Sequence, residues 1–501
     1  MTTTELAPFP DGPPAAAGSA PDPRRWLALG IIAIAQLMVV LDASIVIIAL
    51  PSAQHALGIS TANRQWVVTA YTLAFGGLLL LGGRIADFMG RKRMFIIGLL
   101  GFAAASAVGG AAQNAGMLFG ARALQGAFAA LMAPAALSLI SVTFTEITER
   151  SKAFGVYGAI AGGGAAIGLI MGGVLTEFAS WRWCLLVNVP ISVFAAIAAT
   201  VLVHESKATG STKYDIPGAL TVTAGLVSLV YGFTKASSNG WSSTPTLAFL
   251  GLAGVLLAAF IVIELRTTHP LLPMRILLDR NRGGSFLCSF LLGVGMLGMF
   301  LFLTYYFQGT LHYSALKSGF AFLPFSAGII VAATVASRFL PKLGPRPMMF
   351  GGLLAGAVGM AWLTQIGVDT NYVTHVLPAE IIMSLGLGFA FVPMSSTALI
   401  GAGDHDAGVA SAMLNTSQQV GGSLGTAILN TIFATAVAGY ITVHGVSRAT
   451  SIAAPVHGYT VGFMVGTGAI LAAALVALLL ITAKKTEIPV PDAVIPELVD
   501  A

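Results

Sequence analysis

Charge is what this sequence has least of. Only 9% of its 501 residues are Asp, Glu, Lys or Arg, against 56% hydrophobic residues and a mean hydropathy of +0.86. Soluble domains carry about 25% charged residues, so the composition excludes a soluble fold and makes this an integral membrane protein. Cysteine is nearly absent too. Cys184 and Cys288 are the only two, and they fall near the starts of spans on opposite sides of the predicted bundle. No disulfide framework and no metal set is expected from them. The basic residues are scattered over short loops, without the Arg/Lys patch and interleaved aromatics that nucleic acid requires. No Gly-x-x-x-x-Gly-Lys-Ser/Thr occurs, so no ATP motor is expected. His-x-x-x-His spacing, paired buried carboxylates and a nucleophile with its base are also missing, which argues against a membrane enzyme. No cofactor and no metal is implied, and the short tails leave no room for a signalling domain.

What is present is a series of apolar runs. About 20 apolar residues cross a bilayer as a helix, and fourteen such stretches can be counted: 26–49, 66–85, 94–112, 117–140, 153–176, 184–203, 216–234, 246–265, 285–308, 318–337, 348–366, 375–398, 409–438 and 458–482. The pair 216–234 and 246–265 is the shortest and most Gly-broken. Residues 1–23 hold six prolines and read as a disordered tail. Placing the N-terminus inside puts 19 Lys and Arg on the inner side and five in outer loops (Arg64, Arg182, Lys235, Lys317 and Arg448). The positive-inside rule then predicts both termini in the cytoplasm of a multi-pass protein in the cell membrane.

Faint repetition runs through the chain. Arg122–Pro134 in the fourth span is echoed by Ser384–Pro393 in the twelfth, and Gly162–Gly173 in the fifth by Gln418–Ala427 in the thirteenth. The offset is eight spans both times. Two six-helix halves separated by two extra helices would produce it, as in secondary transporters built from parallel repeats. The predicted fold is an all-α bundle of fourteen transmembrane helices. Its units are a tail at 1–25, an N-terminal half at 26–208, an inserted helix pair at 209–268, a C-terminal half at 269–483 and a tail at 484–501.

Two opposite charges stand deep inside the spans. Asp42 lies in the first, about eight residues or roughly 12 Å from its outer end at 1.5 Å per residue. Arg122 lies in the fourth, roughly 8–10 Å from the same side by the same rise. A buried Arg needs an anionic or carbonyl partner, and Asp42 is the deep acid available at matching depth. An unpaired acid in low dielectric tends to bind a proton, so the pair is a candidate proton-coupling switch; a static ion pair that only fixes packing is the plain alternative. Among the other acids, Glu177 falls at an outer helix end, Glu264 at an inner one, and Glu380 about a turn into the twelfth span, where an interfacial carboxyl reached by water is expected and help in receiving a cation or proton is the alternative.

The loop after the second span reads GGRIADFMGRKR, and Gly83, Asp87, Gly90, Arg91 and Lys92 match a signature of the major facilitator superfamily. LDASIVIIALP (41–51), RALQG (122–126), WRWCLLVNVP (181–190), HPLLPMRIL (269–277), YYFQGTLHYSALKSGFAFLP (305–324) and AGVASAMLNTSQQVGGSLGTA (407–427) narrow the resemblance to that superfamily's fourteen-span drug:proton antiporters. The resemblance implies that spans one and four face each other across a central cavity, and that the 83–92 loop latches the two halves on the cytoplasmic side. It also implies a gating role for Gly164, Gly168, Gly172 and Gly173. Three positions depart from the pattern. Ile47 replaces a polar Asn, Phe88 replaces an Arg of the latch, and Leu169 replaces a Pro of the fifth-span antiporter motif. By residue type, Gln36, Met38, Tyr305, Tyr306, Gln308, Asn415, Gln418 and Gln419 are candidates for a substrate wall, because apolar pockets are built from aromatics and Met with a few polar groups. The function this implies is proton-coupled export of a small, largely apolar drug, with small-molecule substrate, protons and lipid as partners, no nucleic acid, and no oligomer required. A dedicated metabolite exporter or an uncoupled uniporter of the same fold is the alternative.

Overall fold

The computed structural model describes residues 23–144, 146–207, 215–268, 270–401 and 404–484. The expected tails at 1–22 and 485–501 lie outside the described residues. All regular structure among those described is helical.

The chain opens with α1 (Arg25–Ala56), α2 (Trp66–Met89), α3 (Arg91–Gly110), α4 (Ala115–Thr143), α5 (Ile147–Phe178), and α6 (Trp183–Leu186) with α7 (Asn188–Leu202), which together make one span. Then come α8 (Ile216–Asn239) and α9 (Thr244–Arg266). The remainder is a short α10 (Met274–Leu277), α11 (Arg280–Tyr305), α12 (Ala315–Ala321), α13 (Leu323–Leu343), α14 (Pro345–Leu363), α15 (Leu377–Leu399), α16 (Asp404–His444) and α17 (Arg448–Leu480). Twelve of these, counting joined segments as one, are long and apolar enough to cross a membrane, and the two segments expected to be weakest are among them as α8 and α9. Two π turns, Tyr306–Thr310 and Tyr372–Val376, extend α11 and precede α15.

Helix starts follow local chemistry. Asn114, Asp215, Asp279, Ser314 and Ser447 each accept a backbone N–H of the first turn of α4, α8, α11, α12 and α17, which satisfies donors that a helix leaves unpaired. Apolar side chains then cover the outer faces. On α9, Leu247, Leu252, Val255, Ile261 and Leu265 all point away from the protein, as a lipid-facing helix requires.

The packing repeats. In the first group α2 and α3 lie on α4, α1 lies on α5, and α7 lies on α1 and α3. In the second, α13 and α14 lie on α15, α11 lies on α16, and α17 lies on α11 and α14. Each contact recurs eight spans later, at the offset of the sequence echoes. Small residues set the distances. A Cβ built on Gly126 would lie 2.2 Å from the Tyr71 carbonyl oxygen, and one on Gly82 2.1 Å from that of Ala130, so α2 and α4 touch backbone to backbone. The groups meet along two seams, α2 with α16 and α5 with α12 and α13. The extra pair packs on itself, and α8 reaches both sides of the first seam. Gln65 donates to Thr234 (3.0 Å), Thr223 donates to the Gly77 carbonyl (3.4 Å), and Thr431 of α16 donates to the Phe233 carbonyl (3.0 Å).

Candidate functional site

Asp42 and Arg122 meet as their depths predict. Asp42 is fully buried and Arg122 is 1% exposed. Arg122 Nη1 donates to Asp42 Oδ2 at 2.6 Å, and its Nε donates to the Val67 carbonyl at 2.9 Å. The guanidinium also lies over the Tyr71 ring, 4.5 Å from its centroid. α1 supplies the acid, α4 the base, and α2 the carbonyl and the ring.

Two amides complete the site. Gln125 Nε2 and Asn188 Nδ2 both donate to Asp42 Oδ1, at 3.1 and 2.8 Å. Gln125 is held in turn, its Oε1 accepting from Arg122 Nη1 (2.9 Å) and its Nε2 donating to Ser106 (2.7 Å). Gln125 stands three residues after Arg122, on the same face of α4. Asn188 opens α7. Its signal was in view in WRWCLLVNVP, but only the fold brings that turn to α1. Asp42 thus receives three N–H donors. The arrangement is a buried acid on α1 whose donors come from α4 and α7.

The 83–92 loop takes a different form from a bare latch. Gly90 adopts φ +115°, a backbone region that other residues reach only with strain. Arg91 Nε donates to Asp87 at 2.9 Å. Glu205, just past α7, accepts from the backbone N–H groups of Lys92 and Arg93, both at 3.1 Å, and so caps α3. Lys92 Nζ donates to the Thr200 carbonyl at 2.7 Å. These contacts bind the loop to its own helix group. Glu205 gave no signal in the sequence, because its partners are backbone groups far away in the chain. Gly83 packs beside Pro134 of α4.

The four fifth-span glycines are brought onto two neighbours. Cβ atoms on Gly164, Gly168 and Gly172 would press on Val40, on Ser44 and Leu41, and on Ile45 of α1, whereas one on Gly173 would lie 2.6 Å from Leu316 Cα of α12. With Leu169 in place of Pro, α5 runs unbroken through this stretch.

The wall candidates do not gather. Gln36 accepts from Tyr157 (2.6 Å), and Met38 is buried against the Ser192 hydroxyl. Twelve residues further along α1, roughly 18 Å, Gln308 donates to the Ile48 carbonyl at 2.9 Å and Tyr305 donates to Gln54. Tyr306 is turned inward, 0% exposed, its hydroxyl donating to the Gly367 carbonyl. Gln419 fills the α2–α16 seam against Gly76, the Gln418 carbonyl lies against Gly293 of α11, and Asn415 is exposed.

Tyr305 and Gln308 belong instead to a closure at the end opposite the described termini. There Arg64 is 3% exposed. Its Nε donates to Asn430 (3.1 Å), Asn430 donates to the Thr61 carbonyl (3.0 Å), and the guanidinium covers the Tyr305 and Phe433 rings at 4.0 and 4.8 Å. On the other seam Glu177 accepts from Leu316 N–H at 2.9 Å. Glu380 corrects the expectation of a watered interfacial acid: it is 0% exposed. Near the described N-terminus, Arg25 pairs with Glu149 at 2.7 Å, and that hydrogen bond holds the Glu149 carboxyl below its ordinary range.

Two crossing helix groups with a buried ion pair between the first and fourth spans match a known architecture. The Major Facilitator Superfamily profile matches residues 32–426. The chain belongs to the Major Facilitator Superfamily. Among superfamily members, the puromycin resistance protein of Streptomyces alboniger is 51% identical over 472 residues, covering 94% of each chain. The cephamycin export protein of Amycolatopsis lactamdurans is 38% identical, over 82% of this chain and 86% of that one. A bacterial homolog of the human lysosomal transporter Spinster, solved inward-facing and unoccupied, shares the fold at a TM-score of 0.65 and 14% identity, covering 92% of this chain and 97% of that one. This major facilitator chain is therefore a multi-pass membrane transporter, of the branch that holds antibiotic resistance and export proteins, and not an enzyme.

Proposed function

We propose that this transporter exports a small, largely apolar antibiotic in exchange for protons, by alternating access. The observation that carries the reading is the Asp42 site: a fully buried carboxylate whose three donors come from Arg122, Gln125 and Asn188, on two neighbouring helices. Relative movement of α4 or α7 against α1 strips donors from Asp42 and makes it a proton acceptor, so a shape change and a proton are linked. Counting α5 and α14 as spans gives fourteen, with two six-helix halves around the α8–α9 pair and both termini cytoplasmic by the positive-inside rule. In that topology the Arg64 closure faces outward, and the state described here is closed on the outside.

Puromycin is the first substrate to try, since a relative 51% identical over 94% of the chain is named for resistance to it. The test is puromycin transport by the purified chain in liposomes under an imposed pH gradient, with a pH dye inside. Export reading predicts puromycin movement against its gradient with opposite proton flux, both lost when the gradient collapses. Puromycin movement that ignores the pH gradient would favour an uncoupled uniporter, the reading to which the replacements Ile47, Phe88 and Leu169 point. Failure across a panel of apolar antibiotics, with transport of one endogenous metabolite, would favour a dedicated exporter.

A further inference from the structure

The buried acid of α15 faces a phenol whose nearer acceptor is a backbone carbonyl. Glu380 Oε2 lies 3.3 Å from the Tyr372 hydroxyl, and Oε1 has no partner. The same hydroxyl lies 2.7 Å from the Ala321 carbonyl oxygen. A phenol has one proton to give, and a carbonyl can only accept. The shorter contact takes that proton, leaving Tyr372 with a lone pair toward Glu380. A carboxylate there would meet a lone pair on one oxygen and nothing on the other, at full burial. A carboxylic acid resolves the conflict, in a chain from Glu380 O–H to Tyr372 O–H to the Ala321 carbonyl.

No cation stands in for that proton among the described residues around it. The π turn that carries Tyr372 also carries His375, which is half-buried and bonded to Thr374. The segment before α12 brings Tyr313 and the exposed His312, α12 brings Lys317 with its ammonium over the Tyr313 ring, and the neighbouring turns bring Tyr306 and Asp369. The charges of α11, α13 and α14, namely Arg280, Arg282, Arg338, Lys342 and Arg346, all sit toward the far ends of those helices. On α16 the nearest-end titratable group is His444, exposed and stacked on Tyr440.

Ala321 is the last residue of α12, the segment that closes the second seam. Upstream on the same short helix, Leu316 N–H donates to Glu177, Leu316 Cα crowds Gly173, and Gly319 lies against the Leu169 carbonyl of α5. We propose that Glu380 is a second proton-binding site, in the C-terminal helix group, and that its bound proton holds α12 in place and keeps this outer seam shut. On release the Glu380 O–H bond breaks, its electron pair stays on the carboxylate and the proton leaves to outside water. The Tyr372 hydroxyl, keeping its proton, then turns to donate to the carboxylate, and the Ala321 carbonyl loses its donor. The closed seam binds the proton more tightly than the open one, so raising pH favours opening. This does not depend on what Asp42 does.

Two measurements on the full chain in liposomes test it. In infrared difference spectra between acid and alkaline buffer, a protonated-carboxyl band should vanish in Glu380→Gln and move in frequency in Tyr372→Phe, which removes its acceptor. Separately, Leu316→Cys in a Cys184→Ser, Cys288→Ser background should react with an impermeant maleimide faster as pH rises from about 6 to 8, by up to about tenfold per unit, the limit for one proton. Glu380→Gln should abolish that rise with pH. An unchanged infrared band in Glu380→Gln, or labelling that still rises with pH in that variant, overturns the proposal. Where Glu380→Gln does not fold, a carboxyl band that Tyr372→Phe leaves in place overturns it equally. Asp42→Asn changes the baseline rate but should keep its rise with pH, which separates this site from the first.

Discussion

Replacing Asp42 by Asn isolates the charge from the shape of the site. Asn has one acceptor oxygen and one NH2 where Asp has two acceptors. If its oxygen stays on Arg122, the NH2 faces the donors of Gln125 and Asn188. Asn188 can turn its amide over at little loss, because its own oxygen has no partner. Gln125 cannot, since turning would break its bonds to both Arg122 and Ser106. One donor–donor clash and one uncompensated guanidinium therefore remain. Removing one partner of a buried ion pair costs about 3–5 kcal/mol. Arg122 keeps the Val67 carbonyl and the Tyr71 face, so the lower figure, about 3 kcal/mol, is expected for the described state. That is a shift of roughly a hundredfold in population away from it. In liposomes, Asp42→Asn should lose puromycin accumulation driven by a pH gradient while keeping exchange of labelled for unlabelled puromycin at equal pH, which needs shape change but no net proton. Expressed, folded Asp42→Asn with undiminished gradient-driven accumulation would refute the coupling role and leave the pair a packing element.

Three further expectations follow from other contacts. Arg64→Lys removes the planar stack on Tyr305 and Phe433 and the directed bond to Asn430; at about 2 kcal/mol for a desolvated cation–π contact, the outer closure should open roughly thirtyfold more often, read as faster thiol labelling of Leu316→Cys, and unchanged labelling would count against Arg64 as a gate. Gly126→Ala drives a methyl onto the Tyr71 carbonyl of α2, an overpacking that costs about 1–3 kcal/mol or more; melting temperature in detergent should fall, and an unchanged value would mean that α2 and α4 separate easily. Glu149, whose carboxyl Arg25 holds below its ordinary range, is ionised at neutral pH. Any support the pair gives is present above the ordinary glutamate pKa and lost as pH falls through the lowered value. Because Glu149 is a surface group, Glu149→Gln should leave the melting temperature at pH 7 unchanged, and a clear drop would show the pair to be more than a surface contact.

The ion pair was legible because depth along a helix is arithmetic: 1.5 Å per residue from a recognisable end put Asp42 and Arg122 level. The same arithmetic misplaced Glu380. Its span was started at 375, but the π turn at Tyr372–Val376 lengthens the helical segment, and the side chain sits deeper among neighbours than a count from 375 allows. The other π turn had a like effect. It begins at Tyr306, next to the last residue of α11, and leaves Tyr306 in the core while Tyr305 reaches α1. A π turn leaves no clear mark in composition. The amides of the Asp42 site were visible as letters within motifs, but their role required knowing that α7 lies on α1. Loop capping by Glu205 was hidden for the simplest reason, that backbone donors have no sequence.

The α8–α9 pair changes how the bilayer meets the protein. α8 is hydrogen-bonded to α2 on one side and to α16 on the other, so it lies across the seam where the two helix groups would part. A molecule dissolved in the membrane finds that flank covered by two extra helices. On the other flank, where α5 meets α12 and α13, no such pair intervenes among the described residues. For a lipid-soluble cargo the transporter thus has a front and a back, and lateral admission from the bilayer can be two-sided only if α8 lets go.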